Sequence, residues 1–404
     1  MVRHSDRCHS AHRTLRGLAG EGTCLSETSF CALCRTRRRA KKESRTSRKR
    51  GALMKALQAK LKPFARWEVS LIGVLVLELV VFSALSPKFL DPNRLLFSMS
   101  DFVYLGIIAL PLAIVMITGG IDISFASIAS LAAIMMGVTF KSGANIWVAV
   151  IVGLIAALAA GLINGLLIIL TRANPMVITL GTQFLFAGLA LAASGLGGVS
   201  AFEGVSGLPE EFTAIAGGRT LGLPNMLIVF IIFAILFAIL LSRTTFGRQA
   251  RLIGANPVAA RYAGFRSDAV LIGAYVLTAF AAGIVGLLLS SYVGSARADV
   301  GSALLMPVLT LVVIGGVSMY GGEGTIFGVI VATFVIGFLQ QGLRFAHLTE
   351  NEVAVFTGVI LVTVASLRWW SGRWSERVRN SRVRRENLRR MGTAATAERT
   401  DVLV

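Results

Sequence analysis

Long apolar runs separated by short polar breaks dominate this chain from residue 67 to residue 367. A helix that crosses a bilayer needs about 20 mostly apolar residues, and runs of that length are too long to be buried strands. Dividing the runs at their glycine, proline and charged breakers predicts an all-α, polytopic membrane helix bundle of about ten transmembrane spans, broken at glycine pairs. The predicted spans are 67–85, 102–118, 124–140, 146–170, 176–195, 224–241, 269–293, 304–319, 325–343 and 353–367.

The run from Phe102 to Phe140 must contain a break. As one helix rising about 1.5 Å per residue it would far exceed a bilayer core about 30 Å thick. Gly119 and Gly120 are the predicted break, because each glycine weakens a helix by about 1 kcal/mol and accepts backbone angles that other residues avoid. A break exposed to lipid would leave amide groups unpaired, so it must face protein or a water-filled cavity.

Asp122 and the hydroxyl residues that follow the break are the first candidates for a functional site. A carboxylate at membrane depth is costly, and it marks a pathway or a structural partner. A second interpretation places Asp122 in a short loop at the membrane surface, where it caps the helix that starts at Ser124. The sequence is consistent with both interpretations.

The spacing of the first glycine break is repeated later in the chain. Pro111 lies eight residues before Gly119, and Pro307 lies eight residues before Gly315. Transporters are often built from repeats whose broken helices meet around the substrate, although glycine-rich segments also resemble each other by chance. Both breaks are therefore candidate walls of a translocation path. The candidate path residues are Thr118, Gly119, Gly120, Asp122, Ser124, Ser127, Gly315 and Gly316.

Small residues recur at helical spacing within the apolar runs. They are Ala157, Gly161, Gly165, Gly283 and Gly286. In lipid, small residues allow helices to approach closely, so this spacing predicts tightly packed helix pairs.

Composition supports an integral membrane protein: 55% of residues are hydrophobic, the mean hydropathy is +0.73, and only 15% are charged. The net charge of +19 does not indicate nucleic-acid binding, because most of the 40 basic residues lie in the flanks 1–66 and 367–404, outside any recognised nucleic-acid motif. Basic flanks around an apolar block predict that both termini are cytoplasmic.

The chain divides into five segments by composition. Residues 1–53 are a basic tail without apolar periodicity, either disordered or an extension upstream of a true start at Met54. This tail contains Cys31 and Cys34, which have the spacing of half a zinc site without the other half. Residues 54–66 form a basic cytoplasmic lead, 67–367 form the transmembrane domain, and 368–404 form a second basic cytoplasmic tail.

The fifth segment is the loop 243–267, which carries five arginines and no acidic residue. Its charge predicts a cytoplasmic position, whereas the acidic interval 196–223 is predicted outside. Asn256, Pro257 and Gly264 have the cap, first-turn and terminating positions of a short helix. The chain has no phosphate-binding loop, and its membrane block has no catalytic, metal-binding or cofactor-binding cluster, so we expect no enzymatic activity.

Three motifs in this order resemble the ribose-type permeases of bacterial ABC importers. They are Ile-Thr-Gly-Gly-Ile-Asp-Ile-Ser at 117–124, Gly-Ala-Asn-Pro-Val-Ala-Ala-Arg-Tyr-Ala-Gly at 254–264, and Gly-Gly-Val-Ser-Met-Tyr-Gly-Gly-Glu-Gly at 315–324. Segments 95–102, 174–182, 294–301 and 339–343 are similar to the D-type permeases of autoinducer-2 importers within that family. Ribose-type relatives usually carry an acid where this chain has Leu304 to Pro307, which argues against ribose.

This resemblance implies a bacterial inner-membrane subunit that works with a sister permease, two cytoplasmic ATP-binding subunits and a periplasmic solute-binding protein, surrounded by membrane lipid. Permeases for rhamnose or ribose remain alternatives, as does a proton-coupled secondary transporter that uses Glu78 or Asp122. The resemblance also implies that the loop helix couples to the ATPase through Gly254, Asn256, Pro257, Ala259, Ala260, Arg261 and Gly264.

Overall fold

The computed structural model describes residues 67–85, 91–198, 203–346, 348–349, 351–353, 355–360, 362–363 and 366. The predictions for the tail 1–53, its cysteines and the start at Met54, for the lead 54–66, and for the tail 368–404 lie outside the described residues.

The described chain is helical, as the apolar runs predict. The helices are α1 Trp67–Leu85, α2 Pro92–Ser98, α3 Val103–Ile117, α4 Phe125–Lys141, α5 Ile146–Thr171, α6 Pro175–Leu196, α7 Glu210–Gly217, α8 Asn225–Arg243, α9 Thr245–Ala255, α10 Pro257–Tyr262, α11 Ser267–Val293, α12 Leu305–Ile314 and α13 Ile326–Phe345. A 3-10 turn at Met99–Asp101 joins α2 to α3. Four two-residue strands, β1 Val205–Ser206, β2 Arg219–Thr220, β3 Leu223–Pro224 and β4 Ser295–Ala296, form the antiparallel pairs β1–β4 and β2–β3.

The expected count of ten full spans is not reproduced. Six helices in the described part of the chain are long and apolar enough to cross a membrane: α1, α5, α6, α8, α11 and α13. The pair Pro92–Asp101 and Val103–Ile117, bent by 51°, counts as a seventh span. The predicted spans 124–140 and 304–319 are the shorter helices α4 and α12, and the last predicted span, 353–367, is described only in part. Helix α12 is short because it ends at Ile314, directly before Gly315.

Helix α3 lies in the core of the bundle. Every one of its residues except Tyr104 is buried. A helix that is apolar on all sides is stable in such a position, because each face packs against another helix. Helix α1 lies at the periphery, where most of its large apolar side chains, such as Leu77 and Val80, are exposed.

The small residues pack helices together as predicted. A methyl group added to Gly165 of α5 would lie 2.9 Å from the Cα of Ile272 in α11. One added to Gly161 would lie 3.1 Å from the Cα of Val276, and one added to Gly286 would lie 3.1 Å from the Cα of Ala129 in α4. These distances leave no room for a side chain, so α4, α5 and α11 form a tight three-helix contact.

Candidate functional site

The first glycine break lies where the sequence predicts it. Helix α3 ends at Ile117, Thr118 forms its C-cap, and α4 begins at Phe125. Gly119 has φ 88°, a left-handed conformation that favours glycine. A methyl group on Gly120 would lie 2.5 Å from the hydroxyl oxygen of Tyr275 in α11, so a larger residue here would displace that side chain.

Asp122 is buried and caps the start of α4. Its Oδ1 accepts a hydrogen bond from the backbone N of Ser124 at 2.9 Å and another from Ser124 Oγ at 2.7 Å. The side chain is 0% exposed, so the predicted capping contact is present and is buried within the protein. The amino terminus of α4 carries a partial positive charge that favours a carboxylate at this point.

A polar cluster surrounds Asp122. Asn164 of α5 donates from Nδ2 to Ser124 Oγ at 2.6 Å, which joins the amide to the carboxylate through the hydroxyl group. The hydroxyl of Tyr275 lies against Gly120, two residues before Asp122. Asp122 Oδ2, Asn164 Oδ1 and the Tyr275 hydroxyl are all buried without a hydrogen-bond partner. Each such atom carries a desolvation cost, so the cluster retains unused capacity for hydrogen bonds.

Helix α6 holds the other side of the break. Thr179 donates from Oγ1 to the carbonyl oxygen of Ile121 at 2.9 Å, and the backbone N of Ser127 donates to Gln183 Oε1 at 3.3 Å. The hydroxyl of Ser127 donates to the Ser124 carbonyl at 2.9 Å. In this conformation the hydroxyl donors of Ser124 and Ser127 are therefore used within the chain.

The second glycine pair occupies a different environment. Gly316 has φ 90°, and a methyl group on it would lie 2.9 Å from Cδ1 of Trp67. A methyl group on Gly315 would lie 2.8 Å from the Cα of Val329 in α13. Gly315 and Gly316 therefore pack against α1 and α13, whereas Asp122 and Ser124 lie against α5 and α6.

Another glycine pair, Gly321 and Gly322, brings the second loop to the first break. The backbone N of Gly322 donates to the carbonyl oxygen of Ile117 at 2.8 Å. Carbonyl groups at a helix end have no partner within the helix, so the second loop supplies one for α3. Gly321 and Gly322 lie within the motif 315–324 but are not among the predicted path residues.

The basic loop forms two helices, α9 and α10, rather than one. Asn256 begins α10, because its Oδ1 accepts from the backbone N of Val258 at 3.1 Å and of Ala259 at 3.0 Å. Pro257 occupies the first turn, and Gly264 follows the helix with φ 77°. Ala260 is buried at 3% exposure, whereas Arg261 is exposed.

Asn164 and Tyr275 are site residues that the sequence interpretation missed. Asn164 had a usable signal, since a polar amide in an otherwise apolar membrane helix is costly unless it has a partner. Tyr275 had none, because its neighbours lie far away along the chain. Among the described residues, no group of three or more His, Cys, Asp or Glu side chains could hold a metal ion.

Comparison with known proteins identifies relatives over most of this length. The family model for the branched-chain amino acid transport system / permease component matches residues 94–365. The autoinducer 2 import system permease protein LsrD of Escherichia coli K12 is 45% identical over 298 residues, which cover 74% of this chain and 90% of that protein. The proteins of the same name from Shigella flexneri and Escherichia coli O157:H7 match with the same identity and coverage. No solved structure matches significantly.

Proposed function

This chain belongs to the permease-component family whose model it matches, and we propose that it is the transmembrane permease subunit of a bacterial ABC importer for autoinducer 2. The observation that carries the proposal is the 45% identity to LsrD over 90% of that protein. ATP is hydrolysed by a partner, and the solute crosses the inner membrane between this subunit and a sister permease.

Contacts at one end of the bundle support ten crossings with both termini in the cytoplasm. Trp67, at the start of α1, donates from Nε1 to the carbonyl oxygen of Ile314 at 2.6 Å, at the end of α12. Thr325, before α13, donates to Glu68 at 2.9 Å. The end of α3 meets the loop after α12 at the bond from Gly322 to Ile117. In a ten-pass topology all these helix ends lie on the cytoplasmic side.

Contacts at the opposite end support the same topology. The hydroxyl of Tyr292, near the end of α11, donates to Asp101 before α3 at 2.7 Å. Strand β1 pairs with β4, with Val205 opposite Ala296. These helix ends and loops lie on the outer side if α4, α12 and the last helical segment each cross the membrane once.

Helix α6 supports pairing with a sister permease. Gly181, Gly188 and Gly195 recur every seven residues and therefore lie on one face. A methyl group added to any of them would meet no heavy atom within 4 Å, in contrast to the packed glycines of α5 and α11. An exposed strip of glycines in a membrane helix allows a second helix to approach closely, and we assign it to the sister subunit.

The exposed side of α10 is proposed as the contact with the ATPase. Tyr262 is 90% exposed and Val258 is 61% exposed, and the two are four residues apart on one face. Arg251 and Arg261 belong to the same loop, 243–267, in which every charged residue is an arginine. An exposed aromatic side chain in a loop whose charged residues are all arginines fits a cleft with an acidic rim on the ATPase.

The residues of the first break are proposed to form part of the path wall. Asp122, with one unpartnered oxygen, and the hydroxyls of Thr118, Ser124 and Ser127 offer hydrogen bonds to a small hydroxylated solute when the break opens. Gly119 and Gly316, which have positive φ, provide the backbone turns, and Gly120 and Gly315 adjoin them. Asp122→Asn keeps the capping oxygen. Normal uptake by this variant in the assembled importer would show that the carboxylate has no role in the path.

The test is reconstitution of the subunit with its sister permease, the ATPase and the solute-binding protein in liposomes. We expect ATP-dependent uptake of autoinducer 2 and stimulation of ATP hydrolysis by the loaded binding protein. If ribose or rhamnose stimulated ATP hydrolysis instead, that sugar would be the substrate. Uptake by the subunit alone, driven by a proton gradient without the ATPase, would refute the importer mechanism in favour of secondary transport.

A further inference from the structure

We propose that Gly254 is a positioning residue that fixes both glycine loops to the end of α9, so that they move together when the cytoplasmic loop moves. The four glycines Gly119, Gly254, Gly321 and Gly322 are called the glycine junction below. This inference rests on the proposed function, because movement of the cytoplasmic loop is attributed to the ATPase.

Gly254 contacts the point where the two loops bond to each other. The backbone N of Gly322 donates to the Ile117 carbonyl at 2.8 Å. A methyl group on Gly254 would overlap that same carbonyl oxygen and lie 2.5 Å from the N of Gly322. Only a glycine in the last turn of α9 permits this hydrogen bond and the helix to occupy adjacent positions.

The remaining contacts of the junction are also between backbones. A methyl group on Gly321 would lie 2.9 Å from the carbonyl oxygen of Gly254 and 3.0 Å from the Cα of Gly119. One on Gly322 would lie 3.0 Å from the Cα of Ala255. Gly321 and Gly322 have φ 88° and 80°, a conformation that itself favours glycine.

Backbone contacts make the junction stiff. A side chain can change rotamer when its neighbour moves, but main-chain atoms in contact have no rotamers through which to move aside. Closely packed regions therefore switch between discrete arrangements instead of deforming continuously. Helix α10 starts at Pro257, just after Ala255 and Asn256. A shift of α10 therefore displaces Gly254, and Gly254 displaces the end of α3 together with the 321–322 turn.

The first experiment compares Gly254→Ala with Gly73→Ala in the reconstituted importer. Gly73 is also in a helix, and a methyl group there meets no heavy atom within 4 Å. For Gly254→Ala we expect uptake and the stimulation of hydrolysis by the loaded binding protein to fall about tenfold or more, within the range typical of coupling between sites, and to fall further than basal hydrolysis does. Gly73→Ala retains uptake, basal hydrolysis and its stimulation.

Normal stimulation and uptake by Gly254→Ala would overturn the inference, and so would an equal loss of basal and stimulated hydrolysis. Failure of the wild-type complex to take up solute with ATP would instead refute the proposed function.

A second measurement uses the wild-type complex and does not depend on the variant assembling. Hydrogen–deuterium exchange is compared with and without bound ATP in the backbone amides of residues 117–122 and 318–322. We expect ATP to change the exchange of both segments together, since they share the junction. A change in only one segment, or in neither, would show that the loops do not move as a unit.

Discussion

Replacing Asp122 separates its hydrogen-bonding role from its charge. In Asp122→Ala, the backbone N–H of Ser124 loses its acceptor in a fully buried site, and Ser124 Oγ loses the acceptor of its own proton. Hydrogen bonds to a charged group contribute about 1.5–3 kcal/mol each, and a buried donor left unpaired costs about 1–3 kcal/mol. Because the structure around the site relaxes and recovers part of the lost free energy, we expect the unfolding free energy to fall by about 3–5 kcal/mol.

Asp122→Asn has a different expected outcome. The amide oxygen of asparagine can replace Oδ1 and keep both hydrogen bonds from Ser124. Its Nδ2 replaces Oδ2, which has no partner, and introduces a donor into a cluster where Asn164 Oδ1 has no donor. We therefore expect a change of less than about 1 kcal/mol in either direction.

The assay is equilibrium unfolding of the purified subunit in mixed detergent micelles, followed by helical circular dichroism, for the wild type and both variants. Asp122→Ala should unfold at clearly lower denaturant and Asp122→Asn close to the wild type. If the alanine variant were as stable as the wild type, the capping role of Asp122 would be wrong. If the asparagine variant were as unstable as the alanine variant, the charge rather than the acceptor oxygen would stabilise the break.

Three further predictions concern other parts of the chain. Gly286→Ala should lower the unfolding free energy by about 1–3 kcal/mol, because the added methyl meets the backbone of α4, whereas Gly73→Ala should have no such effect in the same assay. Asn256→Ala should weaken ATPase binding in a pull-down by removing the α10 cap, which is worth about 1 kcal/mol, and Asn256→Ser should restore most of it. The hydrogen bond from Arg297 lowers the pKa of Asp299. The pair therefore stabilises the fold at pH values above the unfolded-state pKa of about 3.9, and this stabilisation is lost as the pH falls through the lower folded-state pKa. Unfolding curves of the wild type and Asp299→Asn should therefore differ at pH 6 and converge at acidic pH.

The sequence predicts the helices and the first break because both depend on local properties. Helix α1 has the predicted bounds, Trp67–Leu85, and α3 ends two residues before Gly119. The eighth span was predicted too long because Val317 and Met319 are apolar, and apolarity alone does not show that Gly316 has already turned the chain out of the helix. Local patterns thus define apolar segments better than they define helix ends.

The contacts of the site could not be predicted in the same way, because they join residues far apart along the chain. Asn164 is recognisable as an unusual polar residue, but nothing local indicates that its partner is Ser124. Likewise, Gly315–Gly316 and Gly321–Gly322 have equal standing as glycine pairs in the sequence. Only packing shows that the first pair lies against α1 and α13 and the second against Gly254 and Gly119.

The break between Ile117 and Ser124 is held differently on its two sides, and this difference bears on how it can move. At Ile117 the break is fixed by backbone contacts to α9 and to the 321–322 turn, and these contacts leave no space for an added methyl group. At Ser124 it is fixed by side-chain hydrogen bonds to Asp122 and Asn164, within a cluster that contains unsatisfied donors and acceptors. Side-chain hydrogen bonds can be exchanged for others at small net cost, whereas backbone atoms in contact separate only if their helices or loops move. A displacement that enters at the glycine junction is therefore transmitted rigidly to Gly119 and absorbed at Asp122, where new hydrogen bonds can replace the old ones.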